Sequence, residues 1–236
     1  MMTKCFIRGP MIVLLCCCMA VIAYGQDSGA LSYGAKIGSN FSYFTNDFRL
    51  EGGNPGLQIG GVVNYELSGL MQVTGGLDYA QLRGVIKGNP ESVGNWTVLR
   101  DNNLTIHTVD ASGMFGYKLP LSFLGEAAPY IQGGASIAYN MGTWNKYSAR
   151  YMRSSTDEPI EVHGKENVAA VADNFIASWM VGLRFQSTLD GGLFSKMLID
   201  IRLKNSMRPP VNPYTFNGST EKLGIRSASV SLGFVF

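Results

Sequence analysis

From Leu31 onward the chain alternates apolar and polar residues with a period of two, the pattern of a strand with one apolar face. Its last stretch shows this most cleanly: Ala228, Val230, Leu232, Phe234 and Phe236 share one face, and Ser227, Ser229, Ser231 and Gly233 share the other. The pattern predicts seven earlier strands, from about Leu31 to Phe44, Gly56 to Leu67, Met71 to Tyr79, Thr108 to Leu119, Ile131 to Met141, Phe175 to Gln186 and Met197 to Lys204. Ser68-Gly69 and Asp190-Gly191-Gly192 read as tight turns between them. Three polar stretches, about Gly84 to Asn103, Gly142 to Asn174 and Arg208 to Leu223, are expected to be loops. Short links after strands two, four and six alternate with longer ones, as in membrane barrels with short periplasmic turns and long extracellular loops. The expected fold is therefore all-β, an eight-stranded antiparallel up-and-down transmembrane β-barrel with both termini periplasmic.

Charge decides which face is outward. Asp200, Arg202 and Lys204 share one face of strand seven, and a Lys or Arg at the bilayer midplane costs about 2–4 kcal/mol. Met197, Ile199, Ile201 and Leu203 are thus expected to face lipid. By the same rule Lys36, Glu66, Asp78, Asp110, Lys118 and Arg184 point into the lumen. Four acids against five bases predict a mutually neutralising network that fills the barrel, because buried charges must be paired. A narrow proton or ion path is the sharper alternative.

Alternation alone also fits a soluble barrel with its apolar face inside. Three features favour the membrane. The polar faces are mostly Gly, Ser, Thr, Asn and Gln rather than the Lys and Glu of a solvated surface. Tyr33, Tyr43, Tyr65, Tyr79, Tyr117, Tyr139 and Trp179 lie on the apolar faces, several near strand ends where interfacial girdles sit. Strands of about ten to fourteen residues match a tilted span.

The front of the chain reads as a targeting segment. Lys4 and Arg8 precede an apolar run from Met11 to Ile22, and Ala23-Tyr24-Gly25 fits a cleavage site, so residues 1–25 are expected to be a cleaved signal peptide and 26–236 the barrel domain. All four cysteines lie in that segment; Cys16 follows Leu15 rather than the small residue a lipidation site needs. Without Lys4 and Arg8 the 19 basic residues become 17, equal to the 17 acidic ones. Zero net charge argues against nucleic acid as a partner.

Several segments together resemble the porin-family or PorT-type outer-membrane β-barrel proteins: Gly34-Ala35-Lys36-Ile37-Gly38-Ser39-Asn40-Phe41, Gly75-Gly76-Leu77-Asp78-Tyr79, Pro129-Tyr130-Ile131-Gln132-Gly133-Gly134 and Ser229 to Phe236. The resemblance covers the mature chain and implies a location in the bacterial outer membrane. It also implies that Phe234 and Phe236 are the signal read by the barrel-assembly machinery, and it suggests, as an alternative role, a component of an envelope secretion or assembly complex.

Catalysis has little to draw on. Enzymes need an activated nucleophile or base, usually with His, and the chain offers His107, on an outward face, and His163, near Asp157, Glu158 and Glu161. No catalytic, metal or cofactor site is expected. The working surface is expected in the loops, where Trp96, Trp144, Tyr147, Arg150, Tyr151, Arg153 and Tyr214 interleave aromatic and basic side chains. Their expected partners are outer-membrane lipids and lipopolysaccharide or an envelope protein. The reading is a non-enzymatic barrel with a structural or interaction role. A secretion-complex component, a small channel and, last, a membrane-embedded hydrolase are the alternatives.

Overall fold

The computed structural model describes residues 31–46, 49–50, 53–87, 90–121, 127–153, 158–168, 171–189, 193–211 and 222–236. The expected signal peptide and Tyr214 lie outside them. The strands are β1 (Leu31–Asn46), β2 (Arg49–Leu50), β3 (Asn54–Ser68), β4 (Met71–Lys87), β5 (Glu91–Val93), β6 (Trp96–Lys118), β7 (Ala128–Met152), β8 (Ile160–Asn167), β9 (Phe175–Thr188), β10 (Lys196–Ser206) and β11 (Gly224–Val235).

Eight of them close a ring in the order β1-β3-β4-β6-β7-β9-β10-β11 and back to β1, every pair antiparallel. The closing pair joins β1 to β11 from Gly34–Val235 to Thr45–Gly224. Closure leaves no backbone edge in the ring, which a span through hydrocarbon requires. β2, β5 and β8 flank β1, β6 and β7 beyond it.

The barrel is inside-out, as the charge argument required. Ile37, Ile59, Tyr65, Phe115, Ile131, Ile137, Trp179, Ile201, Val230 and Leu232 are exposed on its outer surface, while Lys36, Asp78, Asp110, Arg184, Asp200 and Arg202 are buried inside. On β3 the outward run from Leu57 to Leu67 covers ten residue steps. At about 3.3 Å per residue and a tilt of about 40° it spans about 25 Å, the height of a membrane-barrel belt. Tyr33 departs from the girdle pattern: it is buried against the ring of Phe236, 6.4 Å between centroids.

Two of the expected loops are strand instead. β4 continues to Lys87, β6 begins at Trp96 and β7 runs on to Met152, so β6 and β7 stay paired from Thr97–Met152 down to Lys118–Tyr130. β8 then pairs with the upper part of β7. The result is a sheet that rises from one end of the barrel. Its residues escaped the pattern because polarity reverses at the barrel's rim. On β4 the inward face reads Gln72, Thr74 and Asp78 and then Leu82 and Ile86, while the outward face passes from Met71, Val73 and Tyr79 to Gln81 and Arg83. Below the rim the exterior is apolar and the interior mostly polar, with a small buried cluster of Val62, Leu198 and Val235 at the far end; just above the rim the arrangement is that of a protein in water.

A bulge manages the change on β7. His107 pairs with Gly142 but Thr108 pairs with Asn140, so Met141 is an extra residue. An extra residue shifts the alternation by one, which turns Thr143 and Asn145 inward and leaves Trp144 outward. Asn140 holds the bulge: its Oδ1 accepts from the Gly142 backbone N–H at 2.9 Å and its Nδ2 donates to Thr143 Oγ1 at 3.1 Å.

Candidate functional site

The interior has two storeys. The lower one is a charge network centred on Arg184, which is fully buried. Facing positions on β9 and β10 bring its Nε and Nη2 to Asp200 Oδ1 and Oδ2 at 2.6 and 2.9 Å. Its third nitrogen, Nη1, donates across the lumen to Asn64 Oδ1 at 2.5 Å and Thr74 Oγ1 at 2.9 Å. Asp200 also accepts from Arg202 Nη2 at 2.7 Å. Lys36 Nζ lies 2.8 Å from Asp78, which also accepts from Gln58 Nε2 at 3.0 Å. Lys204 pairs with Asp110.

Two of the nine predicted network residues stand differently. Glu66 lies near the end of β3 and is met at 2.7 Å by Lys196, a tenth charged residue on the inward side. Lys118, half-buried at the end of β6, forms no ion pair with a described residue. The uncharged members, Asn64, Thr74 and Gln58, carried no signal beyond their place on the polar face.

Between this network and the rim lies a recess lined by Asn40, Gln58, Asp78, Asp110, Arg202 and Lys204, among others. Asp78 Oδ1, Asp110 Oδ1 and Arg202 Nε are buried there without a hydrogen-bond partner in the protein.

The upper storey is apolar. Phe44, Leu82, Ile86, Leu104, Ile106, Ala138, Ile176 and Ile225 meet Val171, Ala172, Val211 and Leu223, which reach in from the connecting segments. Single bridges tie those segments together, Ala172 to Val211 and Val211 to Leu223. Phe44 fits because residue 84 is glycine; a Cβ there would sit 2.5 Å from the Phe44 ring. The stretch from Arg208 to Leu223, expected as a loop, thus contributes two of the residues that pack the mouth.

Above the mouth five of the seven predicted interaction residues, Trp96, Trp144, Tyr147, Arg150 and Tyr151, are on strands. On the inner face of the extension, Arg100 lies over the ring of Tyr147 at 4.1 Å and reaches Glu166 at 2.5 Å. Asn145 Nδ2 donates to both Asn102 Oδ1 and Glu166 Oε1, each at 2.9 Å. On the outer face Lys165 stacks over Trp144 at 4.5 Å, and Arg150 pairs with Glu161 at 2.8 Å. Trp96 begins β6 and Arg153 follows β7, both exposed, with Tyr151 half-buried between. Tyr147 and Arg150 are therefore occupied within the sheet, while Trp96, Trp144 and Arg153 are exposed, Trp144 on the outer face.

Neither histidine gathers a catalytic set. His107 faces outward at the rim, its Nδ1 sharing a 2.7 Å hydrogen bond with the Tyr79 hydroxyl, to which Gln81 Nε2 also donates at 3.2 Å. This polar trio suits the border between hydrocarbon and headgroups. His163 is exposed on β8, 3.9 Å from Glu161. Among the described residues no three His, Cys, Asp or Glu side chains come together as a metal site.

What the strand pairing defines is the class: a closed eight-stranded antiparallel barrel with an apolar exterior and a charged interior. No family model matches the chain, and no curated protein matches it. Similar solved structures include Ail, the attachment invasion locus protein of Yersinia pestis (18% identity over 89% of this chain and 100% of that one, TM-score 0.41). Neisserial surface protein A is similar at 10% identity over 86% of this chain and 97% of that one, TM-score 0.38. OprG from Pseudomonas aeruginosa follows at 10% identity over 89% and 96%, TM-score 0.39. At these values the fold class rests on the closed ring itself.

Proposed function

We propose that the chain is a non-enzymatic integral protein of the bacterial outer membrane whose role is structural or interactive, carried by the strand extension at its extracellular end. Both termini then lie in the periplasm. The observation that carries this reading is the reversal of polarity at the rim. An apolar belt of about 25 Å with a charge-paired interior suits hydrocarbon, and the stretch just above the rim, where Leu82, Ile86, Leu104 and Ile106 pack inward while Gln81, Arg83 and Thr105 face out, suits water. A folded extension held by β6, β7 and β8 is a pre-ordered surface, which loses less entropy on binding than a mobile loop does.

The channel alternative is opposed by the upper storey. Twelve buried apolar side chains occupy the mouth, and apolar constrictions exclude water and ions. The recess beneath is polar, and its unpartnered atoms call for water, so the reading is a hydrated chamber closed outward. Planar-bilayer recordings are expected to show no unitary conductance above background; steady openings would overturn the closed lumen. Membership of an envelope secretion or assembly complex follows from the PorT-type resemblance alone. Co-purification after gentle solubilisation tests it, and recovery of the barrel alone in several detergents would set that alternative aside.

Phe234 and Phe236 are proposed as the assembly signal. Both rings pack on Phe194, at 5.0 and 5.2 Å, on the outer surface.

A further inference from the structure

We propose that the outward face of the extension, just above the apolar belt, binds the phosphate groups of anionic lipid headgroups in the adjoining leaflet; this rests on the membrane reading above. Strand pairing stacks two tiers there, Arg83–Thr105–Trp144–Asn167 and, above it, Val85–Asn103–Lys146–Lys165. The two tiers hold three cations and no carboxylate. Lys146 and Lys165 stand directly opposite each other, a like-charge pair that is destabilising across an antiparallel ladder unless an anion lies between. Glu166 cannot serve, since it points to the other face and is engaged by Arg100 and Asn145. From the next tier up the balance returns, with Asp101 opposite Ser148 and, above it, Arg150 paired to Glu161.

Depth identifies the occupant. The tier below is His107 with Gly142, where the Tyr79–His107 hydrogen bond marks the border of the belt. Successive tiers on a tilted strand rise about 5 Å, so Trp144 falls in the headgroup layer, and the lysine stems let their ammonium groups reach it. The face points sideways over lipid rather than up toward solution. A tryptophan with a stacked lysine and a second lysine beside it is the set that positions a phosphate monoester beside an acyl chain; Arg83, which donates to the Pro55 carbonyl at 3.0 Å, adds its charge from two strands away.

The test is a native mass-spectrometric titration of the full chain, taken from neutral phosphatidylcholine nanodiscs, with phosphatidic acid as the probe. With about 1 kcal/mol per basic residue at a membrane surface, K146Q/K165Q is expected to weaken apparent affinity about thirty-fold. R150Q, whose charge is already paired, is expected to keep the wild-type value. Equal affinity of wild type and K146Q/K165Q, or an equal loss in R150Q, would overturn the site. The heated-versus-unheated gel shift separates the two readings: a wild type that shifts but prefers no phosphate lipid sinks only this inference, and one that never shifts sinks the membrane barrel. Should K146Q/K165Q fail to shift, K165Q alone is judged by the same criterion.

Discussion

The two storeys of the interior sit on the same strands and differ in almost everything else. Below the rim, β4 and β6 turn Thr74, Asp78, Thr108 and Asp110 inward; a few residues on, the same faces carry Leu82, Ile86, Leu104 and Ile106. The difference teaches that the inside of a barrel wall is set by what lies outside it. Where hydrocarbon wets the exterior, apolar residues gain nothing by turning inward, and polar groups collect in the lumen and must satisfy one another. Where water wets the exterior, burying apolar surface is again favourable, at about 25 cal/mol per Å².

That contrast yields three tests. The largest effect is expected in the lower storey. Arg184→Met removes three nitrogens that hold Asp200, Asn64 and Thr74, and an uncompensated buried charge costs about 3–5 kcal/mol. Urea titration of the protein folded into lipid vesicles measures it. A loss below about 1 kcal/mol would mean that Arg202 and Lys36 already neutralise Asp200 alone.

In the upper storey, Ile106→Ala leaves a void among residues that are almost entirely buried. A loss of about 2–4 kcal/mol is expected by the same titration. A near-neutral outcome would show that water, not Phe44 and Leu104, surrounds this side chain, and the contrast between storeys would fail.

The smallest effect is expected at the junction. Asn140→Ala deletes the hydrogen bonds that fix the bulge at Met141 and should cost about 1–2 kcal/mol. Hydrogen exchange sharpens the point: amides of β8 and the upper half of β7 are expected to exchange faster while β10 and β11 keep wild-type protection. Uniform protection would mean that the bulge is held by strand pairing alone.

Much of the barrel is legible in the alternation. The outward placement of Met197, Ile199, Ile201 and Leu203 follows from three charges on one strand, and the pairing of the final strand with the first, Leu31 to Phe44, follows from the need to leave no edge in lipid. The lumenal cations and acids were found because a charged residue in the middle of an apolar-alternating segment has only one tolerable side. Pairing within the network was not legible, since nothing local says that Glu66 meets Lys196, which lies 130 residues away, or that Arg184 reaches across to Asn64.

The extension escaped for a different reason. On β4 the alternation continues past the rim with the opposite polarity, on the upper parts of β6 and β7 polar residues such as Asn102, Thr143 and Asn145 occupy the inner face as well, and on β7 the phase shifts at Met141, so no single apolar face can be followed. The chain's own order of residues determined that there are strands, how many close the ring, and which of their faces meets lipid, because those depend on local alternation and on the cost of charge in hydrocarbon. Tertiary structure alone decided that the mouth is packed shut, that much of two expected loops forms a sheet, and that Lys146, Lys165 and Arg83 share one wall. Those depend on which strands lie beside one another and on where the surrounding medium changes from hydrocarbon to water.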